Sequence, residues 1–190
     1  MKPFRLAAAL AVFALAQPWT TLEPGLSAAA VQNSNSRDQT RDQLRELLAS
    51  AAANNRVDID FRQSTKNPYN IVGVKRGGMT NSESLEAIWS VTKDQTIALR
   101  VYPHYNGGYI NVGRARDPAG LMRKLLQMNS SNFMFWGADD AGDVFAGYEF
   151  TMESGFPSEA VVVVARSITN QDQFVAQMRP FLESAPVATK

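Results

Sequence analysis

Apolar positions recur with a helical period in two stretches that flank a region of alternating pattern. In residues 38–54 they repeat at steps of three and four, and Ser36 or Asp38 can cap the start of this helix. Asp117 followed by Pro118 is typical of a second helix start, because aspartate accepts hydrogen bonds from free N–H groups and proline suits the first turn. The pattern therefore predicts two helices, separated by a segment of a different type.

The segment between these helices alternates apolar and polar residues, as strands with one solvated face do. It covers residues 57–115 and contains turn signals at residues 93–94 and 106–108. We predict an antiparallel meander of three or four strands here. Two more strands follow the second helix, at residues 132–137 and 144–152, joined by a turn rich in Asp and Gly.

The last apolar stretch, residues 158–182, can be interpreted in two ways. The valines from Val161 to Val164 favour a strand, because β-branched side chains lose rotamer freedom in a helix. Over the longer window the apolar positions keep a helical period, interrupted only at Gln171. We predict one long helix with its end kinked or frayed by Pro180. The order α–β(meander)–α–ββ–α indicates an α+β fold, with helices packed on an antiparallel sheet.

The first thirty residues have the features of a secretory signal peptide. A basic start is followed by an uncharged apolar run of 11 residues, Leu6 to Ala16, which is shorter than the roughly 20 residues of a membrane span. Small residues allow cleavage after Ala16 or after Ala30, and the loose spacer between them favours the second site. The sequence thus predicts an exported protein, periplasmic or secreted.

Composition agrees with one exported domain stabilised by its apolar core. Hydrophobic residues make up 45% of the chain, and the absence of cysteine excludes disulfides and thiol chemistry. The net charge of +1 does not favour nucleic acid, and no later stretch predicts stable membrane insertion after processing. The predicted organisation is a signal peptide at 1–30, a flexible lead-in at 31–37, a single domain at 38–183 and a tail at 184–190.

Motifs that would indicate catalysis or a cofactor, such as G-x-S-x-G, H-E-x-x-H and G-x-G-x-x-G, are absent. We therefore predict a protein that is not an enzyme and has no cofactor or metal. The alternative is a small periplasmic hydrolase or lyase using Asp58, Asp60 and Arg62, or a carrier with a lipid or small ligand between sheet and helices. His104 is predicted to be an exposed loop histidine. The acidic residues Asp139, Asp140 and Asp143 are predicted to form a hairpin turn rather than a calcium loop.

Aromatic residues of the strand predicted at 132–137 are the best indication of binding. Alternation places Phe133 and Phe135 on one face, and Met134 and Trp136 on the other. Helices on both faces would bury all four residues in the core, which is the default expectation. Helices on one face would leave an apolar strip that marks a peptide or partner site. The candidate partner-binding residues are Phe133, Phe135 and Trp136.

A family resemblance rests on the same region. The run LMRKLLQMN at residues 121–129, then FMFW at 133–136, an Asp/Gly turn, a long strand and a final helix resemble the YbjN family. These bacterial proteins are described as sensory transduction regulators and are similar in fold to type III secretion chaperones. The resemblance covers residues 38–183, is best over 117–182, and carries over no site residue. It implies a sheet with packed helices, dimers, and binding of other polypeptides rather than turnover. We expect an exported, YbjN-like module that binds a protein partner or self-associates.

Overall fold

The computed structural model describes the backbone of residues 26–183 and the side chains of residues 36–183. Most of the predicted signal peptide and the predicted tail lie outside the described residues. The elements in chain order are α1 (Leu26–Ala53), β1 (Phe61–Gln63), β2 (Asn70–Arg76), β3 (Ser84–Val91), β4 (Ile97–Tyr105), β5 (Gly108–Tyr109), α2 (Pro118–Met128), β6 (Phe135–Ala138), β7 (Val144–Phe150), α3 (Ser158–Ser167) and α4 (Asp172–Leu182).

The strands form one antiparallel sheet of seven, in the order β1-β2-β3-β4-β7-β6, with β5 paired to the end of β4. The predicted α+β class and an antiparallel meander are confirmed, although residues 57–115 contain five strands, β1 to β5, rather than three or four. Asn106 and Gly107 form the β4–β5 turn with positive φ angles, as an Asn-Gly hairpin turn requires. Because β7 pairs with β4, strand β6 is displaced to an edge of the sheet.

All the helices pack against one face of the sheet. Side chains on that face, such as Trp89 and Leu99, are buried together with Leu48 of α1, Leu125 of α2 and Met178 of α4. This core is continuous from α1 to α4, so burial of apolar side chains stabilises these elements together. Among the described helices, none is both long and apolar enough to cross a membrane.

The first helix starts earlier than predicted. Its backbone begins at Leu26, so neither Ser36 nor Asp38 is a cap, and the residues predicted as a flexible lead-in are helical. Alanines 28–30 favour helix, and no glycine or proline occurs between Leu26 and Ala53 to interrupt it. The second predicted cleavage site, after Ala30, falls within this helix.

The valine run is helical, as predicted, but the final helix is not continuous. Val161 N–H donates to the carbonyl of Pro157 at 2.9 Å, and the run lies inside α3. A 3₁₀ turn, Ile168–Gln171, then separates α3 from α4. Gln171 is buried; its side chain accepts from the Asn132 amide at 3.2 Å and donates to the carbonyl of Ser167 at 3.4 Å. The polar residue that interrupts the apolar pattern is therefore held inside the protein, and the helix changes geometry around it.

One buried carboxylate fixes the β2–β3 loop to the start of α4. Asp172, which is 8% exposed, accepts from the N–H groups of Thr80 at 2.8 Å and Ser82 at 2.7 Å, and from the Ser82 hydroxyl at 2.6 Å. Burial alone would raise the pKa of Asp172, but these bonds and the Asn81 N–H outweigh burial and lower it. Arg179 donates to the carbonyl of Asn81 at 3.2 Å. Two charged side chains of α4, Asp172 and Arg179, therefore bind this loop.

Candidate partner-binding face

The face of the sheet turned away from the helices, here called the open face, is not covered by any described helix. Strand register places one row of residues across it, perpendicular to the strands. From β1 to β6 this row consists of Arg62, Val72, Ile88, Arg100, Gly147 and Phe135. Apolar side chains in the centre of a solvated face are the feature that distinguishes this side of the sheet.

An aromatic cluster lies next to this row. The ring of Tyr102 lies 5.4 Å from that of Tyr109 and 5.7 Å from that of Phe145, and the rings of Phe145 and Phe135 are 5.9 Å apart. The guanidinium of Arg100 lies 4.6 Å above the Phe145 ring, a cation–π contact. Tyr102 and Phe145 are buried by these neighbours, whereas Phe135 remains 49% exposed.

The position of Phe135 depends on the glycine opposite it. A Cβ atom on Gly147 would lie 2.3 Å from Cζ of Phe135, so the ring lies directly on the backbone of β7. Only glycine leaves room for this contact. One side of the Phe135 ring is therefore fixed by the sheet, and the other side faces solvent.

The structure separates the three candidate residues. The strand predicted at 132–137 begins only at Phe135, so Phe133 lies in a bend, 57% exposed, with its ring edge-on to Tyr148 at 5.9 Å. Tyr148 belongs to the opposite face of β7 from Gly147, so the prediction that Phe133 and Phe135 share one face is wrong: alternation does not extend beyond the strand. Core packing, the default expectation for both phenylalanines, is also wrong. Trp136 is 2% exposed on the helix side and packs against Phe174, so it is not accessible to a partner.

Helix α2 extends the exposed apolar surface around the edge of the sheet. Met122, Leu126 and Asn129 are four and three residues apart, which places them on one stripe of a helix. Asn129 contacts β6, so the stripe that carries the exposed side chains of Met122 and Leu126 ends at that strand. Among the described residues, four of the five exposed large apolar side chains form this surface, the β6-edge patch: Met122, Leu126, Phe133 and Phe135.

The free edge of β6 is occupied by a side chain. Asn129 Oδ1 accepts from the N–H of Trp136 at 2.5 Å, and Asn129 Nδ2 donates to the carbonyl of the same residue at 3.2 Å. The amide thus makes the two bonds that a neighbouring strand would make at Trp136.

Replacing Asn129→Ala is expected to lower the free energy of unfolding by about 1–2 kcal/mol, because both backbone groups of Trp136 lose their partner. Chemical denaturation measures this loss, and light scattering should show faster aggregation. The matched control is Gln127→Ala on the exposed side of the same helix, which should change neither quantity measurably. Equal stability of the two variants would show that the amide bonds do not contribute.

A polar cluster lies at the other end of the aromatic cluster. Tyr109 donates to Oε2 of Glu86 at 2.8 Å, and His104 Nε2 is 3.5 Å from the same oxygen. Burial, and then the carboxylate of Glu86, raise the pKa of Tyr109, so its hydroxyl stays a donor. The prediction of an exposed loop histidine is wrong, because β4 continues to Tyr105 and pairs His104 with β5, leaving its side chain partly buried.

The residues of the enzymatic alternative do not form a catalytic arrangement. Asp58 is solvent-exposed and forms an ion pair with Lys75, Asp60 is also exposed, and Arg62 lies on the open face in β1. Two solvated carboxylates lack the desolvation that separates an acid from a base.

The acidic group at the β6–β7 connection forms a hairpin turn, as predicted. Asp139 accepts from the N–H groups of Ala141 at 3.0 Å and Asp143 at 2.9 Å. Its carboxylate therefore closes the turn. Across the described part of the chain, no three His, Asp or Glu side chains come together in a way that could hold a metal ion.

Comparisons of this chain with protein-family models, with curated proteins and with solved structures found no match.

Proposed function

We propose that this chain is an exported, non-enzymatic, YbjN-like module that binds a polypeptide partner, or a second copy of itself, through the open face and the β6-edge patch. The observation that carries the proposal is the half-exposed ring of Phe135, fixed on Gly147 at the point where the two surfaces meet. A rigid aromatic anchor loses little conformational entropy on binding, which is why such residues dominate protein interfaces.

The chemistry of the surface fits a polypeptide. Phe135, Arg100 and Met122 belong to residue types that are enriched at protein interfaces, and methionine adapts its shape to a partner. The open face is roughly 24 Å wide, because five spacings of about 4.8 Å separate β1 from β6. Together with the exposed stripe of α2, this width accommodates an interface of ordinary size.

The edge of β6 determines how the partner contacts the sheet. Because Asn129 already bonds the outward N–H and C=O of Trp136, a partner does not add a strand at this position. Recognition therefore depends on side-chain contacts with Phe135, Phe133 and the α2 stripe. The predicted signal peptide would bring this surface to the periplasm or the exterior, where the partner is met.

The test is photo-crosslinking in the native cells, with Phe135 replaced by p-benzoylphenylalanine. We expect one defined adduct, whose yield falls at least about fivefold when Ile88→Asp is added to the same face. An adduct of twice the chain mass would assign a second copy as the partner. The mass of the protein recovered from the periplasmic or secreted fraction reports the processing site.

Val163 supplies the matched control, because it is exposed and apolar but lies on α3, on the helix side of the molecule. The same crosslinker at position 163 should give no comparable adduct, and Val163→Asp should leave the adduct at position 135 unchanged. Equal labelling at the two positions would contradict the proposed interface, and recovery of an unprocessed cytoplasmic chain would contradict export.

A further inference from the structure

A groove of about 380 Å³ opens on the open face, at the end away from the β6-edge patch. Its apolar base is formed by Val72 and Ile88, which register places side by side on β2 and β3. The β1–β2 loop with Lys66 borders one side, and Tyr109 and Glu86 border the other. Neither base residue is fully buried, so a ligand in the groove would contact both.

Some charged side chains around this groove have no partner among the described residues, whereas others nearby are paired. Arg62 and Lys66 are exposed, and within residues 36–183 neither side chain makes an ion pair or a hydrogen bond. Lys75 on β2 contrasts with them because it pairs with Asp58. Opposite the two cations, Glu86 accepts from Tyr109 and keeps a second carboxylate oxygen that no described residue bonds.

We infer that this groove binds the C-terminal end of a polypeptide, with a free carboxylate and an apolar last side chain. Arg62 and Lys66 bind the carboxylate through charge-assisted hydrogen bonds. The last side chain packs on Val72 and Ile88, and the peptide N–H donates to the free oxygen of Glu86. The inference rests on the proposed function, since it specifies what the polypeptide partner presents to this end of the open face.

The combination of groups favours a peptide terminus over other anions. A phosphate or nucleic acid would bring more negative charge next to Glu86 and would leave the apolar base unused. A simple carboxylic acid would satisfy the cations and the base but has no N–H for Glu86. A peptide C-terminus has a partner for each of the three features of the groove, which are the two cations, the apolar base and the free oxygen of Glu86.

The test is a titration of the full chain with peptide and small-molecule probes. Binding is monitored through the methyl NMR signals of Val72 and Ile88. The probes are an N-acetylated pentapeptide ending in leucine with a free carboxylate, the same peptide as its C-terminal amide, and 4-methylpentanoate. We expect the free peptide to shift both methyl groups and to bind at least about tenfold more tightly than either other probe. Arg62→Gln and Lys66→Gln should each weaken that binding, while Lys93→Gln, an exposed cation in the β3–β4 turn, should not.

Three results would overturn the inference: equal binding of acid and amide, binding unaffected by Arg62→Gln and Lys66→Gln, or shifts that spare Val72 and Ile88. Binding of 4-methylpentanoate as tight as that of the peptide would overturn the assignment to a polypeptide. If the crosslinked partner at Phe135 is found but no probe binds, this inference fails while the proposed function stands. If the probes bind but no adduct forms at Phe135, the proposed interface fails instead.

Discussion

The variant Asp172→Ala is expected to lose about 3 kcal/mol of unfolding free energy, because several N–H groups of the β2–β3 loop lose a charged acceptor at once. Each such bond contributes more than a bond between neutral groups, and the site is too buried for water to replace all of them. The variant should remain folded at neutral pH but denature at clearly lower urea concentration. Denaturant titration followed by circular dichroism measures the difference.

The pH dependence of this effect follows from the lowered pKa of Asp172. A carboxylate that is more acidic in the folded state than in the unfolded state stabilises the fold fully at pH values above its ordinary pKa of about 3.9. The contribution falls as the pH drops below that value toward the folded-state pKa. The stability gap between wild type and Asp172→Ala should therefore be constant above about pH 5 and narrow below about pH 4.

The control for this pair of measurements is Asp140→Ala. Asp140 is exposed in the β6–β7 turn, and its loss should change stability by less than about 0.5 kcal/mol. If Asp172→Ala behaves like Asp140→Ala, or if the gap is independent of pH down to strongly acidic conditions, the carboxylate does not fix the loop as described.

The variant Leu125→Ala is expected to cost about 2–5 kcal/mol, the range for removing a leucine side chain from a packed core. Leu125 is 1% exposed on the face of α2 that packs toward the sheet. Truncation removes apolar contacts and leaves a cavity that surrounding strands fill only in part. Urea denaturation of the purified domain gives the value directly.

Leu126 provides a control with the same side chain one residue further along. It is 66% exposed, so Leu126→Ala should change stability by less than about 0.5 kcal/mol. The same variant should weaken the crosslink at Phe135 if α2 borders the interface. A loss below half a kcal/mol at Leu125 would mean that this face of α2 does not belong to the core.

Short sequence patterns are sufficient to predict the parts of the fold that are determined by residues close together in the chain. The Asp117-Pro118 signal predicts the start of α2, and Asp117 accepts from the Gly120 N–H at 2.8 Å. The Asn106-Gly107 turn is likewise set by residues within a few positions. In both cases one short stretch contains the signal and its physical cause. The valines of α3 are the opposite case, because the run itself favours a strand and only the longer apolar period predicts the helix.

The features that matter for binding depend on distant pairs. Asp172 bonds a loop about ninety positions earlier, and nothing near Asp172 in the sequence indicates which N–H groups it meets. Which face of the sheet remains open is decided by the packing of all the helices together. The position of Phe133 was predicted from strand alternation that stops at Phe135, and boundaries of this kind are set by tertiary contacts.

The bonds of Asn129 to the edge of β6 also bear on the route by which the chain folds. They span seven residues, so the loop they close is short and its entropic cost is small. The pairing of β7 with β4, in contrast, must wait until a long intervening segment has been ordered. In a β6–β7 hairpin that forms early, Asn129 already bonds the outward groups of Trp136, while the β7 edge is left to pair with β4. The bonds of Asn129 therefore favour growth of the sheet from β7 toward β4 over pairing of another chain at Trp136.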